Sequence, residues 1–234
     1  MFRILLVLLM AAFVIRAEEP EKADPRKALQ PFNSLVAPWK GTGVPDGTRE
    51  DKEKGFWTEM VTWQWQFDKD DAWLQAKFDQ GKYFLRGELR ALGKDRYKFT
   101  IETKANETVI FEGELKDNKL TLDRIDAKTK ESQRLTFRLL HSNRITYSYE
   151  TKADGKAAFV RKYQVGLTNQ NVPFANNGAT GPECIVSGGL GTMQVSYKGK
   201  TYYVCCSGCR DEFKANPDKY IAEFDAKQKD KKKN

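Results

Sequence analysis

Histidine is almost missing from this 234-residue chain, which has one, His141. A serine-protease-type triad needs histidine as its base, and catalytic zinc sites draw heavily on histidine ligands, so a single copy severely limits both proposals. His141 stands between Leu140 and Ser142 at a predicted strand end, where a lone histidine reads as a surface or turn residue. No phosphate-cradling loop or paired-acid motif stands out, and the acidic stretches 50–54 and 68–71 read as solvated loops. We therefore expect no enzyme. Long apolar runs are also lacking. Residues 4–15 form the one extended run, 12 residues, where a bilayer span needs about 20. Arg3 precedes it, and Ile15-Arg16-Ala17 is an acceptable cleavage sequence, followed by Glu18-Glu19. Residues 1–17 thus read as a secretory signal peptide, with a retained N-terminal anchor as the alternative. Export implies a periplasmic or extracellular location, where disulfides are permitted.

Strong charge imbalance is lacking too. Without Arg3 and Arg16 the formal charge falls from +8 to +6, and the tail 226–234 carries +4 of that in five lysines and one aspartate. Residues 18–225 are near balance. With an export signal and no recognisable binding motif, nucleic acid is disfavoured as a partner. The tail reads as a frayed, solvated end, with contact to an anionic envelope surface as its functional alternative.

Forty per cent hydrophobic and 12% aromatic residues suffice for a substantial core. Residues 18–38 are polar, contain Pro20, Pro25 and Pro31, and read as a flexible leader. Helical periodicity is scarce between 39 and 166. Alternating runs instead predict strands at 56–67, 72–78, 83–90, 96–103, 107–115, 119–125, 133–140, 144–150 and 158–165, with turns at Gly81-Lys82, Gly93-Lys94, Asp117-Asn118 and Asp154-Gly155. Near-regular spacing argues for an antiparallel meander that hides its edges by closing. The Trp39-Lys40-Gly41-Thr42-Gly43 opening and the meander order resemble small exported lipocalin-like domains. Trp57, Trp63, Trp65 and Trp73 lie in this region, and Trp63 and Trp65 share a face with Val61 and Phe67. They read as aromatic core, with a ligand-lined cavity as the alternative.

Residues 167–181 are rich in Asn, Gly and Pro and read as a linker. Beyond it, 182–225 is too small to fold readily without a staple. All four cysteines fall there: Cys184, then Cys205, Cys206 and Cys209. A predicted hairpin, 193–204, turns at Lys198-Gly199-Lys200. It delivers Cys205 to the start of a helix with Ser207 as a plausible N-cap, and a second helix is expected at 218–224. Cys209 would sit in the first helical turn, where the positive helix end favours thiolate, the metal-binding form.

This segment resembles the YHS/TRASH heavy-metal-binding family. The likeness is carried by Cys184, the Tyr197-Lys198-Gly199-Lys200-Thr201-Tyr202-Tyr203 hairpin, Cys205, Cys209, Phe213 and Asn216-Pro217-Asp218-Lys219-Tyr220. It implies a treble-clef-like ββα knuckle in which Cys184, Cys205 and Cys209 bind a metal. Ser187 stands where many relatives place a second cysteine. Cys206 is a possible fourth ligand, though neighbouring strand residues point to opposite faces; Met193, Ser187 and water are weaker ones. A closed zinc site takes four ligands, whereas an open three-thiolate site suits Cu(I) or exchangeable zinc. Two other readings stand beside metal: a disulfide staple, since four cysteines allow three pairings, and thiol redox chemistry at Cys206-x-x-Cys209. The whole chain reads as mainly β: a lipocalin-like antiparallel barrel, then a metal knuckle handling Zn or Cu. A small-molecule-binding barrel with a stapled module, and an envelope-interaction protein, are the alternatives.

Overall fold

The computed structural model describes residues 24–141, 143–171 and 181–231. The expected signal peptide, Lys232 and Lys233 of the tail, and most of the expected linker lie outside the described residues.

Ten strands form a closed barrel: β1 (Pro38–Pro45), β2 (Trp57–Asp68), β3 (Asp71–Asp79), β4 (Phe84–Gly93), β5 (Arg96–Thr103), β6 (Thr108–Lys116), β7 (Lys119–Ile125), β8 (Ser132–His141), β9 (Arg144–Lys152) and β10 (Val160–Asn169). Each pairs antiparallel with its predecessor, and β10 closes on β1 from Trp39↔Asn169 to Pro45↔Tyr163. The up-and-down order is the expected one, with ten strands where a lipocalin has eight. Beyond the nine strands expected from the sequence, the tenth is β1, which the short sequence around Gly41 and Gly43 did not announce by alternation. β10 runs to Asn169, so the barrel takes three residues of the expected linker, and Leu167 is buried opposite Gly41.

Alternation places the core. Val61, Trp63 and Trp65 of β2 point inward, as do Tyr97, Phe99 and Ile101 of β5. Trp63 stacks on Phe99 at 5.7 Å, and Phe137 meets both rings edge-on. Trp73 instead faces outward beneath the Arg90 guanidinium, 4.0 Å from its ring. Asp117 and Asn118 both take positive φ, the two-residue turn whose twist matches flanking strands.

Residues 24–37 correct the expectation of a flexible leader. Asp24 caps α1 (Pro25–Leu29), with Pro25 at its start, and a 3-10 turn follows at Gln30–Leu35. Leu29, Phe32 and Leu35 recur every third residue, and all are buried. Phe32 meets Tyr97 edge-on at 4.8 Å, Tyr97 donates to the Ala28 carbonyl at 3.2 Å, and Trp39 Nε1 donates to the Leu35 carbonyl at 2.8 Å. This segment plugs one end of the barrel. A second correction is α2 (Arg49–Gly55), where a solvated loop was expected. A Thr48–Asp51 capping box and the pairs Arg49–Glu53 and Lys54–Glu50 hold it, and no residue is buried, so no apolar period betrays it.

The C-terminal module is a hairpin, β11 (Met193–Tyr197) and β12 (Lys200–Val204), followed by α3 (Ser207–Ala215) and α4 (Pro217–Lys231). Cys206, not Ser207, is the N-cap of α3. Helix α4 outruns the expected 218–224 and absorbs residues 226–231 of the supposed frayed tail. Lys227 and Lys231 both pair with Glu183, the latter at 3.0 Å, which ties α4 to the loop of Cys184.

Candidate metal centre

Cys184 lies just after the isolated bridge between Glu183 and Leu190, at the mouth of a tight loop. Its N–H donates to the Gly189 carbonyl at 2.7 Å, and its carbonyl accepts from Gly188 N–H at 2.9 Å. Ile185 N–H reaches the Tyr203 carbonyl at 2.9 Å, which ties the loop to β12. Cys205 directly follows β12, with its carbonyl accepting from Thr192 Oγ1 at 3.2 Å. Cys209 sits in the first turn of α3. Loop, strand end and helix start thus converge on one point.

The sulfurs of Cys184, Cys205 and Cys209 all lie within 4.8 Å of one another, and all three residues are buried. Cys205 and Cys209 sulfurs are 3.5 Å apart. Zinc–sulfur bonds of about 2.3 Å in a tetrahedron require sulfurs about 3.8 Å apart, so this nest is near the size an ion needs. None of the four cysteines is in a disulfide. Soft, buried, closely spaced sulfur donors suit zinc or Cu(I) and disfavour oxygen-seeking magnesium or calcium.

Cys206, the possible fourth ligand, stands beside this nest. Its sulfur is 3.8 Å from that of Cys205 but does not join the mutually close set of three. The opposite-faces argument fails because β12 ends at Val204, and Cys206 is already the extended residue before a helix. Ser187 is fully buried: its hydroxyl lies 3.4 Å from Cys205 Sγ, and its N–H donates to Cys184 Sγ at 3.5 Å. It therefore steadies two of the sulfurs. Met193 is half-buried at the start of β11, and His141 is exposed at the end of β8.

Hydrogen bonds among the sulfurs sort their protons. Bonds with Cys205 and Cys209 push Cys184 well below the ordinary thiol value, and bonds with the same two cysteines push Cys206 down. Cys205 is pushed up by its bonds to Cys184 and Cys206; burial pushes Cys209 up, with its sulfur neighbours adding to the effect. Three thiolates packed this closely repel one another, and a cation in their midst relieves that repulsion.

The module is docked onto the plugged end of the barrel. Pairing of β1 with β2 stops at Pro38↔Thr62, and Trp63 N–H finds the Ala37 carbonyl at 3.1 Å. The next N–H on that edge, Trp65, donates to Cys206 Sγ at 3.4 Å. Gly208 packs so tightly on the same strand that a Cβ there would lie 1.7 Å from the Trp65 carbonyl oxygen. Asn33 bridges the two parts: it accepts from Trp65 Nε1 at 3.1 Å and donates to the Ser187 carbonyl at 2.9 Å. Arg26 adds a bond to the Val186 carbonyl at 3.1 Å and one to Glu223 at 2.7 Å. The sequence signalled none of these joints, because each depends on residues far apart in the chain. Only the three-residue apolar spacing at 29, 32 and 35 hinted that the leader was ordered.

Where β2, β4, β6, β8 and β10 begin, the other end of the barrel holds a pocket of about 460 Å³. Tyr83, Phe84, Val109, Phe111, Tyr149 and Tyr163 line it, and charges of both signs stand among them, with Arg124 paired to Asp126 at 2.7 Å. Tyr83 stacks on Tyr163 at 4.4 Å, and below them buried Glu59 accepts from Tyr147 Oη at 2.6 Å and Trp57 Nε1 at 2.9 Å. This buried carboxylate and its two donors escaped the sequence reading, since Glu59 sits alone in an alternating strand.

The YHS domain family model matches residues 191–223. Cys205, Cys206 and Cys209 fall inside that match, and Cys184 precedes it. Comparison with curated proteins gives no match. One solved structure, described as "Structure of EF1p2_mFAP2b bound to DFHBI", is 12% identical, aligned over 61% of this chain and 99% of that one, with a TM-score of 0.28. That score is too low to bear on the barrel's ligand.

Proposed function

We propose that this protein is an exported, non-enzymatic metal-binding protein. Cys184, Cys205 and Cys209 hold one soft or borderline ion, zinc or Cu(I), as thiolates. The observation that carries this reading is the convergence of three buried sulfurs within 4.8 Å. The match to a YHS domain over the same module supports it. The bound ion supplies the charge that lets neighbouring thiolates coexist and staples a module too small to be rigid without one. The protein's own part is to place the sulfurs: Ser187 braces Cys184 and Cys205, and the start of α3 puts positive backbone charge beside Cys209. Three protein ligands leave a coordination position open, which suits handling of an ion better than permanent storage.

The test is native mass spectrometry of the mature protein, purified without chelator, beside Cys→Ser variants at 184, 205 and 209. One ion per chain, lost in all three variants, supports the reading and identifies the metal. A metal-free protein lighter than its reduced form by the hydrogens of two disulfides refutes it.

A second reading rests on the aromatic pocket at the far end of the barrel. Its volume of about 460 Å³ falls within the range of small-molecule sites. Aromatic walls favour an apolar or aromatic molecule. Binding of an environment-sensitive aromatic dye, lost on Val109→Trp, tests it.

A further inference from the structure

The four cysteines are not placed alike. Cys184 and Cys209 are 1% and 0% exposed, whereas Cys205 and Cys206 are 8% and 7% exposed and both line a cleft between the module and the barrel. That cleft has a volume of about 700 Å³. Pro38, Thr62 and Gln64 bound it on the barrel side, and Leu190, Thr192 and Met193 on the module side. Among the described residues none that lines it carries a charged side chain, in a chain of which 31% is charged. A hydrated ion entering it meets no carboxylate to replace its water shell, so the route is poor for hard cations. A soft ion delivered on a thiolate or thioether donor finds sulfur throughout: Met193 on the wall, then Cys206 and Cys205.

We propose that Cys206 is the exchange ligand of this centre, through which a soft ion passes between the cleft and the three-sulfur nest. The inference rests on the metal-binding reading above. Two metal–sulfur bonds of about 2.3 Å together reach about 4.6 Å, and Cys205 and Cys206 sulfurs are 3.8 Å apart. An ion can therefore be shared by this pair while Cys205 never lets go. In the exchange the ion gives up one metal–sulfur bond within the nest and forms one to Cys206, so a bond forms for each that breaks. The Trp65 N–H and the N-cap position hold Cys206 at the cleft wall, which makes it a fixed station rather than a mobile arm.

The experiment uses the full mature chain loaded with zinc and, separately under anaerobic conditions, with Cu(I). Metal content, competition affinity and the rate of transfer to a chromogenic chelator are measured for the parent, Cys206→Ser, Thr62→Trp and Cys184→Ser. Serine retains an acceptor for Trp65 N–H and is a good N-cap, so Cys206→Ser preserves the fold while removing the soft donor. Thr62→Trp obstructs the cleft without touching a sulfur. Both are expected to keep one ion at near-parental affinity while transfer slows by about tenfold or more, the scale on which groups outside the ligand set act on metal sites. Cys184→Ser is expected to hold none. Transfer from Cys206→Ser at the parental rate overturns the inference, as does an affinity loss that accounts for the rate, which makes Cys206 a resident ligand. A parent chain that binds neither ion overturns the metal reading itself, an outcome distinct from both.

Discussion

The contact between α3 and β2 offers the sharpest test of how module and barrel are joined. Gly208 follows the N-cap by two residues, and a Cβ at this position would stand 1.7 Å from the carbonyl oxygen of Trp65 and 2.8 Å from its carbonyl carbon. Both obstacles are backbone in the middle of a paired strand, since Trp65 is held to Leu74 of β3. They have no rotamer with which to yield. Restoring ordinary contact in Gly208→Ala requires α3 to withdraw by about 1.5 Å. Withdrawal by that amount breaks the 3.4 Å bond from Trp65 N–H to Cys206 Sγ and loosens the 3.3 Å bond from Ser207 to Gln64. Overpacking costs about 1–3 kcal/mol, and a buried N–H left without an acceptor costs about 1–3 kcal/mol more. The better intrinsic helix propensity of alanine returns less than about 1 kcal/mol, and little of that in a first turn. We therefore expect Gly208→Ala to destabilise the docked module by about 2–5 kcal/mol while the barrel keeps its own transition. Denaturant unfolding followed separately by barrel tryptophan signal and by module thiol reactivity resolves the two. Amide exchange at Trp65 should accelerate in parallel. A variant within about 0.5 kcal/mol of the parent, with Trp65 exchange unchanged, would falsify the proposed seating of α3 on β2.

Three further outcomes are expected. Alkaline pH should unfold the barrel through its buried phenols: burial raises Tyr147 and Tyr163 well above 10, so the folded state keeps protons that the unfolded chain releases. Stability is therefore fully present below about pH 10 and falls above it by about 1.4 kcal/mol per pH unit for each tyrosine. Tyr147→Phe should flatten that slope in pH-dependent urea unfolding, and an unchanged slope would count against a buried neutral phenol. Asn33→Ala strands the Trp65 indole N–H and frees the Ser187 carbonyl, a loss of about 1–3 kcal/mol that should show as faster thiol labelling of the module. Saturation with the bound ion at about a thousand times its dissociation constant should stabilise the module by about 4 kcal/mol, and chelation should remove that increment without moving the barrel's transition.

Much of the barrel was legible because its cause is local. Alternation in 96–103 or 119–125 puts every second residue on one face, and the Asp117-Asn118 turn takes two positive φ angles that few other pairs tolerate. The cysteine nest was legible for a similar reason: a hairpin fixes the separation of Cys205 from the helix start, and only Cys184 must be brought in from a distance. What failed to show were surfaces created by assembly. α2 buries nothing and is held by its cap and paired charges, so apolar periodicity gave no sign of it. The leader read as flexible because it is polar and rich in proline, yet Leu29, Phe32 and Leu35 are fully buried against the barrel.

Cys206 shows how far a correct local rule can mislead. Strand alternation turns adjacent side chains apart, but β12 stops at Val204, and the following bend releases Cys206 from that rule. Its surroundings are then set by Trp65 of β2, 141 positions away in sequence. Cys184, Cys205 and Cys209 face one another, and Cys206 stands beside Cys205 at the cleft, supported by barrel backbone. An isolated module would lack Trp65 N–H, Asn33 and the Pro38–Thr62 wall, so the barrel supplies one side of the cleft that Cys205 and Cys206 line. On this reading the two ends of the barrel have separate tasks. One presents an aromatic pocket to solvent; the other, plugged by residues 24–37, is the platform that gives the cysteine centre its entrance.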